Sequence, residues 1–114
     1  IGAAGEYKIG LNETMIGMTM HNFGIELARY RIPLAYFSRA VINAEIWSPE
    51  DAISAGFYDR AVPLEHLGAA AAKAAEMFGN LDMGAFNGTK NKSRKGFLEL
   101  LDQCIAADLV PPSA

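Results

Sequence analysis

Extended segments in this chain are few and short, and they limit its fold more than any other feature. Tyr7-Lys8-Ile9-Gly10-Leu11 alternates in polarity and is bounded by glycines, which predicts a short strand running into a loop. Ile46-Trp47 reads as a brief extended connection, and Phe57 to Val62 as another, closed by Pro63. Three or four such pieces do not make an independent sheet. Their backbone groups need strands from elsewhere, which points to a missing part. The expected class is mostly α with a few short strands.

The helices are better marked. Ile25 to Tyr30 reads as helical, with Asn22 as its N-cap and Pro33 as its stop. Leu34 to Asn43 is a second helix, with Leu34, Phe37, Val41 and Ile42 at helical spacing. Ser48-Pro49-Glu50-Asp51 is a helix start: Ser48 caps, Pro49 takes the first helical position and Asp51 is acidic in the first turn. That helix stops at Gly56, a candidate for the left-handed conformation. Leu64 to Phe78 is alanine-rich and helical, ending at Gly79-Asn80. The last helix is expected from Asp82 to Leu109, with a break near Gly84 to Gly88, followed by a tail, Pro111 to Ala114. Residues 1–63 and 64–114 are the expected units.

Charge and composition exclude several function classes. A net charge of −3 argues against nucleic acid or an anionic membrane as the main partner. No apolar run approaches the roughly 20 residues of a membrane span. Ile1 to Gly10 lacks the basic start and apolar core of a signal peptide. Cys104 is the single cysteine, so neither an internal disulfide nor a cysteine-built zinc site is possible, and the cytoplasm is the expected compartment. The chain opens on Ile1 without an initiator Met, which leaves processing and a fragment both open.

Few residues carry chemistry. Glu13 follows a strand end and lies among Ile9, Leu11, Met15, Ile16 and Met18 in the sequence. A carboxylate in apolar surroundings is desolvated and becomes a usable general acid or base; a solvated loop carboxylate or a helix cap is the other reading. His21 lies in the loop after the first strand and is either a ligand contact or an ordinary loop residue. His66, at a helix start, reads as a surface group. No Ser-His-Asp order, metal-ligand spacing or phosphate-binding glycine loop occurs, so no metal is expected. Lys90, Lys92, Arg94 and Lys95 place four of the ten basic residues within six positions. They form either a solvated helix face or a contact for a phosphate-bearing ligand.

Lys8-Ile9-Gly10-Leu11-Asn12-Glu13 with Ile16-Gly17 resembles the segment FGxPE…xG of the crotonase superfamily of enoyl-CoA hydratases and isomerases. Ser48-Pro49-Glu50-Asp51-Ala52 with Ala55-Gly56-Phe57 resembles SAEEA…xGLV, and Asp59-Arg60-Ala61-Val62-Pro63 resembles NRVVP. Thr89-Lys90 resembles the xK that opens a late family helix. The four pieces keep the family's order and spacing over residues 6 to 95.

The resemblance implies the C-terminal part of an α/β ββα spiral, followed by a helical region that builds homotrimers, often paired into hexamers. It implies an acyl-CoA substrate, with coenzyme A part of that substrate and no separate cofactor. Two backbone N–H groups hold the thioester oxygen and stabilise an enolate, and one or two glutamates move protons at C2 to C4. Glu13 matches the family's second glutamate. Met15, Met18, His21 and Phe23 are the expected substrate contacts, and Lys90 the expected contact for coenzyme A.

Two departures narrow this. The family's first half supplies the oxyanion N–H groups and the other glutamate, so the N-terminal half of the same protein is an expected partner, without which the chain is inactive. Where hydratases carry PGAGG, this chain has Met20-His21-Asn22-Phe23-Gly24. Bulky groups replace a tight glycine turn, which favours isomerase over hydratase chemistry. The alternative is a non-catalytic helical oligomerisation module or a catalytically degenerate relative, with Phe86, Phe97, Leu98, Leu101 and Ile105 as the contact face.

Overall fold

The computed structural model describes residues 1–111; of the expected tail, Pro112 to Ala114 lie outside the described residues. Strands β1 (Gly2–Ala3) and β2 (Ile9–Gly10) lead into a 3-10 turn, Thr14–Ile16. Helices α1 (Asn22–Arg31) and α2 (Leu34–Val41) follow, then β3 (Ile46–Trp47), α3 (Pro49–Ser54) and β4 (Ala61–Val62). A second 3-10 turn, Leu64–His66, opens α4 (Leu67–Gly79), and α5 (Met83–Asp108) closes the chain. The mostly helical expectation holds.

The strands pair only two by two. Gly2 lies opposite Ala61 and Ala3 opposite Val62, in parallel. Ile9 lies opposite Trp47 and Gly10 opposite Ile46, antiparallel. Each pair keeps two open edges, and pairs this short are not stable alone. They are held by what packs beneath them. Trp47 is buried, with the rings of Phe57 at 5.5 Å and Tyr36 at 6.4 Å. Around it gather Ala28 of α1 and Ile32 just after it, Ala40 and Val41 of α2, and Ala52 and Ala55 at α3.

Helix α3 forms as its sequence dictates. Ser48 Oγ accepts from Asp51 N–H at 3.1 Å, Pro49 takes the first position, and Gly56 turns left-handed at φ 92°. A Cβ on Gly56 would stand 2.5 Å from Pro33 Cδ, so both backbone conformation and space demand glycine.

Three expectations are corrected. Helix α1 starts at Asn22 with His21 in the N-cap position, and neither side chain caps it; the cap is the carboxylate of Asp108. Helix α2 ends at Val41, and Leu34 and Ile42 point outward, at 90% and 60% exposure. Helix α5 runs unbroken through Gly84 and Gly88, because Asp82 caps its first turn, accepting from Ala85 N–H at 2.8 Å.

Helix α5 packs along α1. Phe97, Leu101, Cys104 and Asp108 recur every three or four positions and face it, with the Phe97 ring stacked on Tyr30 at 3.8 Å. The five apolar residues expected as one outward face therefore divide. Phe97 and Leu101 turn inward, while Phe86, Leu98 and Ile105 stay exposed. Among the described residues no helix is long and apolar enough to cross a membrane.

Candidate active site

Glu13 stands where β2 gives way to the 3-10 turn. Its carbonyl accepts from Ile16 N–H at 3.2 Å and Met18 N–H at 2.8 Å, closing the turn on itself. Gly17, at φ 80°, reverses the chain. Thr14 Oγ1 donates to the Ile42 carbonyl at 2.8 Å, pinning the turn to the end of α2. The backbone under Glu13 is thus fixed from within and from a neighbouring helix.

The Glu13 side chain reaches a cavity of about 320 Å³. Its walls are mainly apolar: Leu11, Met20 and Phe57, with Phe23, Leu27 and Ile32 from α1 and its approach. Glu13 Oε2 is buried there and has no hydrogen-bond partner. Leaving a buried acceptor unpaired costs about 1–3 kcal/mol, so such an atom in a folded protein calls for a reason. The other polar side chains at the cavity are His21 and Arg31. Arg31 is engaged, its Nη2 lying 2.8 Å from Asp59 Oδ1, and it holds the Asp59 carboxyl below its ordinary range.

The structure brings Glu13, His21 and Phe23 to one cavity; Met15 and Met18 do not line it. The 3-10 turn directs them outward, at 63% and 56% exposure. The apolar surroundings of Glu13 therefore come from α1, the loop before it and Phe57, not from the sequence neighbours Met15, Ile16 and Met18. Lys90 stands apart on α5, where it lines a groove of about 550 Å³ with Leu81, Phe86, Thr89 and Arg94. Its Nζ lies 5.8 Å from the Phe86 ring centroid, within cation–π range.

Sequence reasoning missed Asp108. This residue ends α5, yet Oδ1 accepts from Asn22 N–H at 2.8 Å and from Asn22 Nδ2 at 2.9 Å, while Oδ2 accepts from Phe23 N–H at 2.8 Å. The carboxylate thus takes the orphan donors at the start of α1 and complements its dipole. The Phe23 hydrogen bond first, then those of Asn22 and the nearby His21, hold the Asp108 carboxyl below its ordinary range against some desolvation. The His21 ring lies 5.8 Å from that of Phe23. A Cβ on Gly24 would stand 2.6 Å from Met20 Sδ and 2.7 Å from His21 Cε1, so these side chains close over the one glycine this loop retains. Cys104, one turn before Asp108, has its thiol pushed up by burial, with Glu26 and Asp108 adding to it, and serves as packing. Among the described residues no three His, Cys, Asp or Glu side chains gather as a metal site.

No family model matches the sequence, and no curated protein matches it. Solved structures do. An enoyl-CoA hydratase/isomerase family protein from Pseudomonas syringae superposes with a TM-score of 0.91 at 50% identity, over 94% of this chain and 46% of that one. An enoyl-CoA hydratase from Mycobacterium ulcerans gives 0.86 at 32% identity, over 91% of this chain and 46% of that one. A Mycobacterium tuberculosis protein, described in one structure as an enoyl-CoA isomerase and in another as a probable enoyl-CoA hydratase, also gives 0.86 at 32% identity; 91% of this chain matches 46% of the first and 44% of the second. The chain spans a little under half the length of these relatives, over their C-terminal half. With motifs in family order, this fold and these likenesses, the chain belongs to the crotonase superfamily of enoyl-CoA hydratases and isomerases, as the counterpart of the C-terminal half of the members it matches.

Proposed function

We propose that this chain supplies the proton-moving half of an enzyme acting on acyl-CoA thioesters, with Glu13 as its base and acid. The observation that carries this is Glu13 Oε2, buried and unpartnered in an apolar cavity. A carboxylate so placed can take a proton from carbon and return it, without water competing for the charge. Its partner is a segment equivalent to the family's first half, which brings the oxyanion N–H groups that stabilise the enolate. Without that segment the chain is inactive.

Isomerisation is the preferred reaction. Glu13 removes a proton from one carbon of the acyl chain, the electrons pass through the enolate, and Glu13 returns the proton elsewhere, shifting the double bond. One carboxylate suffices for this, and no second one lines the cavity among the described residues. Hydration needs a held water as well. His21 and Phe23 occupy the wall where a glycine turn would leave room, and the first N–H groups of α1 are already engaged by Asp108. His21 and Phe23 contact the acyl chain, and Met15 and Met18 a portion outside the cavity. Lys90 contacts the coenzyme A part of the substrate, and no further cofactor is needed. A homotrimer, or a hexamer of two trimers, in the cytoplasm is the expected form.

The test is Glu13→Gln in the full protein. Double-bond isomerisation of an enoyl-CoA is expected to fall about 100-fold or more, with the fold kept. Turnover unchanged within a few-fold removes Glu13 from catalysis. Comparing double-bond shift with water addition in the unmutated protein separates isomerase from hydratase.

A second reading rests on a different observation. The apolar side chains of Met77, Phe78 and Leu81 stay exposed on and just after α4, as expected of an assembly module without catalysis. Enoyl-CoA turnover that is absent from the unmutated protein, or unchanged by Glu13→Gln, would favour it.

A further inference from the structure

We propose that Asp108 is a positioning residue for the Glu13 cavity, fixing the His21–Phe23 wall from the far end of the chain. The inference rests on the proton-transfer reading above and deepens it.

The geometry is specific. Three hydrogen bonds of 2.8 to 2.9 Å join one carboxylate to two consecutive residues, Asn22 and Phe23. Both carboxylate oxygens are used, so the group cannot rotate without losing a bond. The residues held are the ones between and beside the cavity walls: His21 precedes Asn22, and Phe23 is itself a wall. A side chain on the cavity side inherits the placement of its backbone, and here that backbone is tied to α5. The stacked pair Tyr30 and Phe97, further along the same two helices, prevents α5 from sliding along α1. Asp108 is therefore held in place before it holds anything else.

The same contact has an electrostatic side. The start of a helix is a ready site for an anion. Here it is filled by a negative charge of the chain's own, and the two N–H groups that would attract a substrate oxyanion or a water are spent. The wall beside Glu13 is thereby kept apolar in function as well as in shape. The enolate oxygen must be received elsewhere.

The experiment compares three variants in the full protein with substrates of short and long acyl chain. Asp108→Ala removes the clamp, and Asp108→Asn keeps one acceptor but not the charge. Ser48→Ala removes the cap of α3, away from the cavity, and reports what a lost helix cap does by itself. Displacements of a wall by about 1 Å cost up to about 100-fold in rate. Asp108→Ala is therefore expected to lower kcat/KM by at least about tenfold and to shift the short-to-long chain ratio, with Asp108→Asn between it and the unmutated protein. Ser48→Ala, with a similar loss of melting temperature, leaves both quantities within about twofold. If either Asp108 variant folds and matches Ser48→Ala in kcat/KM and in chain ratio, Asp108 is only a cap and the proposal falls. Should Asp108→Ala fail to fold, Asp108→Asn alone decides, by the same two readouts. Glu13→Gln in parallel keeps the failures apart. An active Glu13→Gln variant overturns the proton-transfer reading and this inference with it; an inactive one beside unaffected Asp108 variants overturns this inference alone.

Discussion

Asp108 is the last residue of α5 and holds the start of a helix 86 positions earlier in sequence. Its carboxyl is held below the ordinary range, chiefly by the Phe23 N–H group. A carboxyl whose folded pKa is depressed contributes stability above its unfolded value, about 3.9, and that contribution is lost as pH falls through the folded value. The stability gap between the unmutated chain and Asp108→Asn should therefore be constant near neutrality and narrow as pH drops below about 4. Thermal melts of both across that range measure it. A gap that is flat into the acid region would mean that the charge contributes nothing to the clamp. Glu45 and Asp59, also held low by Arg39 and Arg31, are common to both chains and cancel. This residue also shows where sequence reading stops. The cap of α3 is legible because Ser48 and Asp51 are three residues apart. The cap of α1 is not, because its acceptor is set by how two distant helices pack. Glu13 itself was legible through its motif. Its apolar surroundings were not, because Gly17 and the 3-10 turn decide that Met15 and Met18 face outward.

At the scale of elements, α5 sets propensity against context. Gly84, Gly88 and Gly96 favour a break, yet the helix is continuous from Met83 to Asp108. Asp82 anchors one end, and the stripe of Phe97, Leu101 and Cys104 rests on α1 at the other. A glycine in a helix interior still costs about 0.5–1 kcal/mol relative to alanine. A Cβ on Gly88 would meet nothing within 4 Å. Gly88→Ala should therefore stabilise the chain by about 0.5–1 kcal/mol in urea unfolding. A destabilised variant would mean that the Gly88 face is closely packed against a segment or a subunit that covers α5. The short strands illustrate the opposite case. Ile9–Gly10 and Ile46–Trp47 were readable as extended, but their pairing with each other follows from the burial of Trp47 beneath them and not from any local signal.

The whole molecule exposes more than a closed domain should. Its accessible surface is 8075 Å², about 2,000 Å² above the area typical of a 12.3 kDa monomer. Its radius of gyration is 16.9 Å, where a compact chain of this length has about 13 Å. Exposed apolar side chains lie all along the chain, with Leu34 and Leu109 the most exposed. One group flanks Glu13, where Met15, Ile16 and Met18 turn outward. Another lies on α4 and the first half of α5, where Met77, Phe78, Leu81 and Met83 are each more than two-fifths exposed. An apolar surface of this extent favours association, because covering it removes apolar area from water. Light scattering coupled to size exclusion should therefore show a mass above the 12.3 kDa of one chain at micromolar concentration. Phe78→Glu, on α4, should lower that mass without loss of helical signal, since this side chain is half exposed and α4 has no buried residue. A monodisperse monomer in the unmutated chain would leave the α4 face without a partner of its own kind. The exposed area would then have to be covered by the segment that completes the sheet. That segment added in trans should give enoyl-CoA turnover if the open edge of β2, the strand that leads to Glu13, is where it docks.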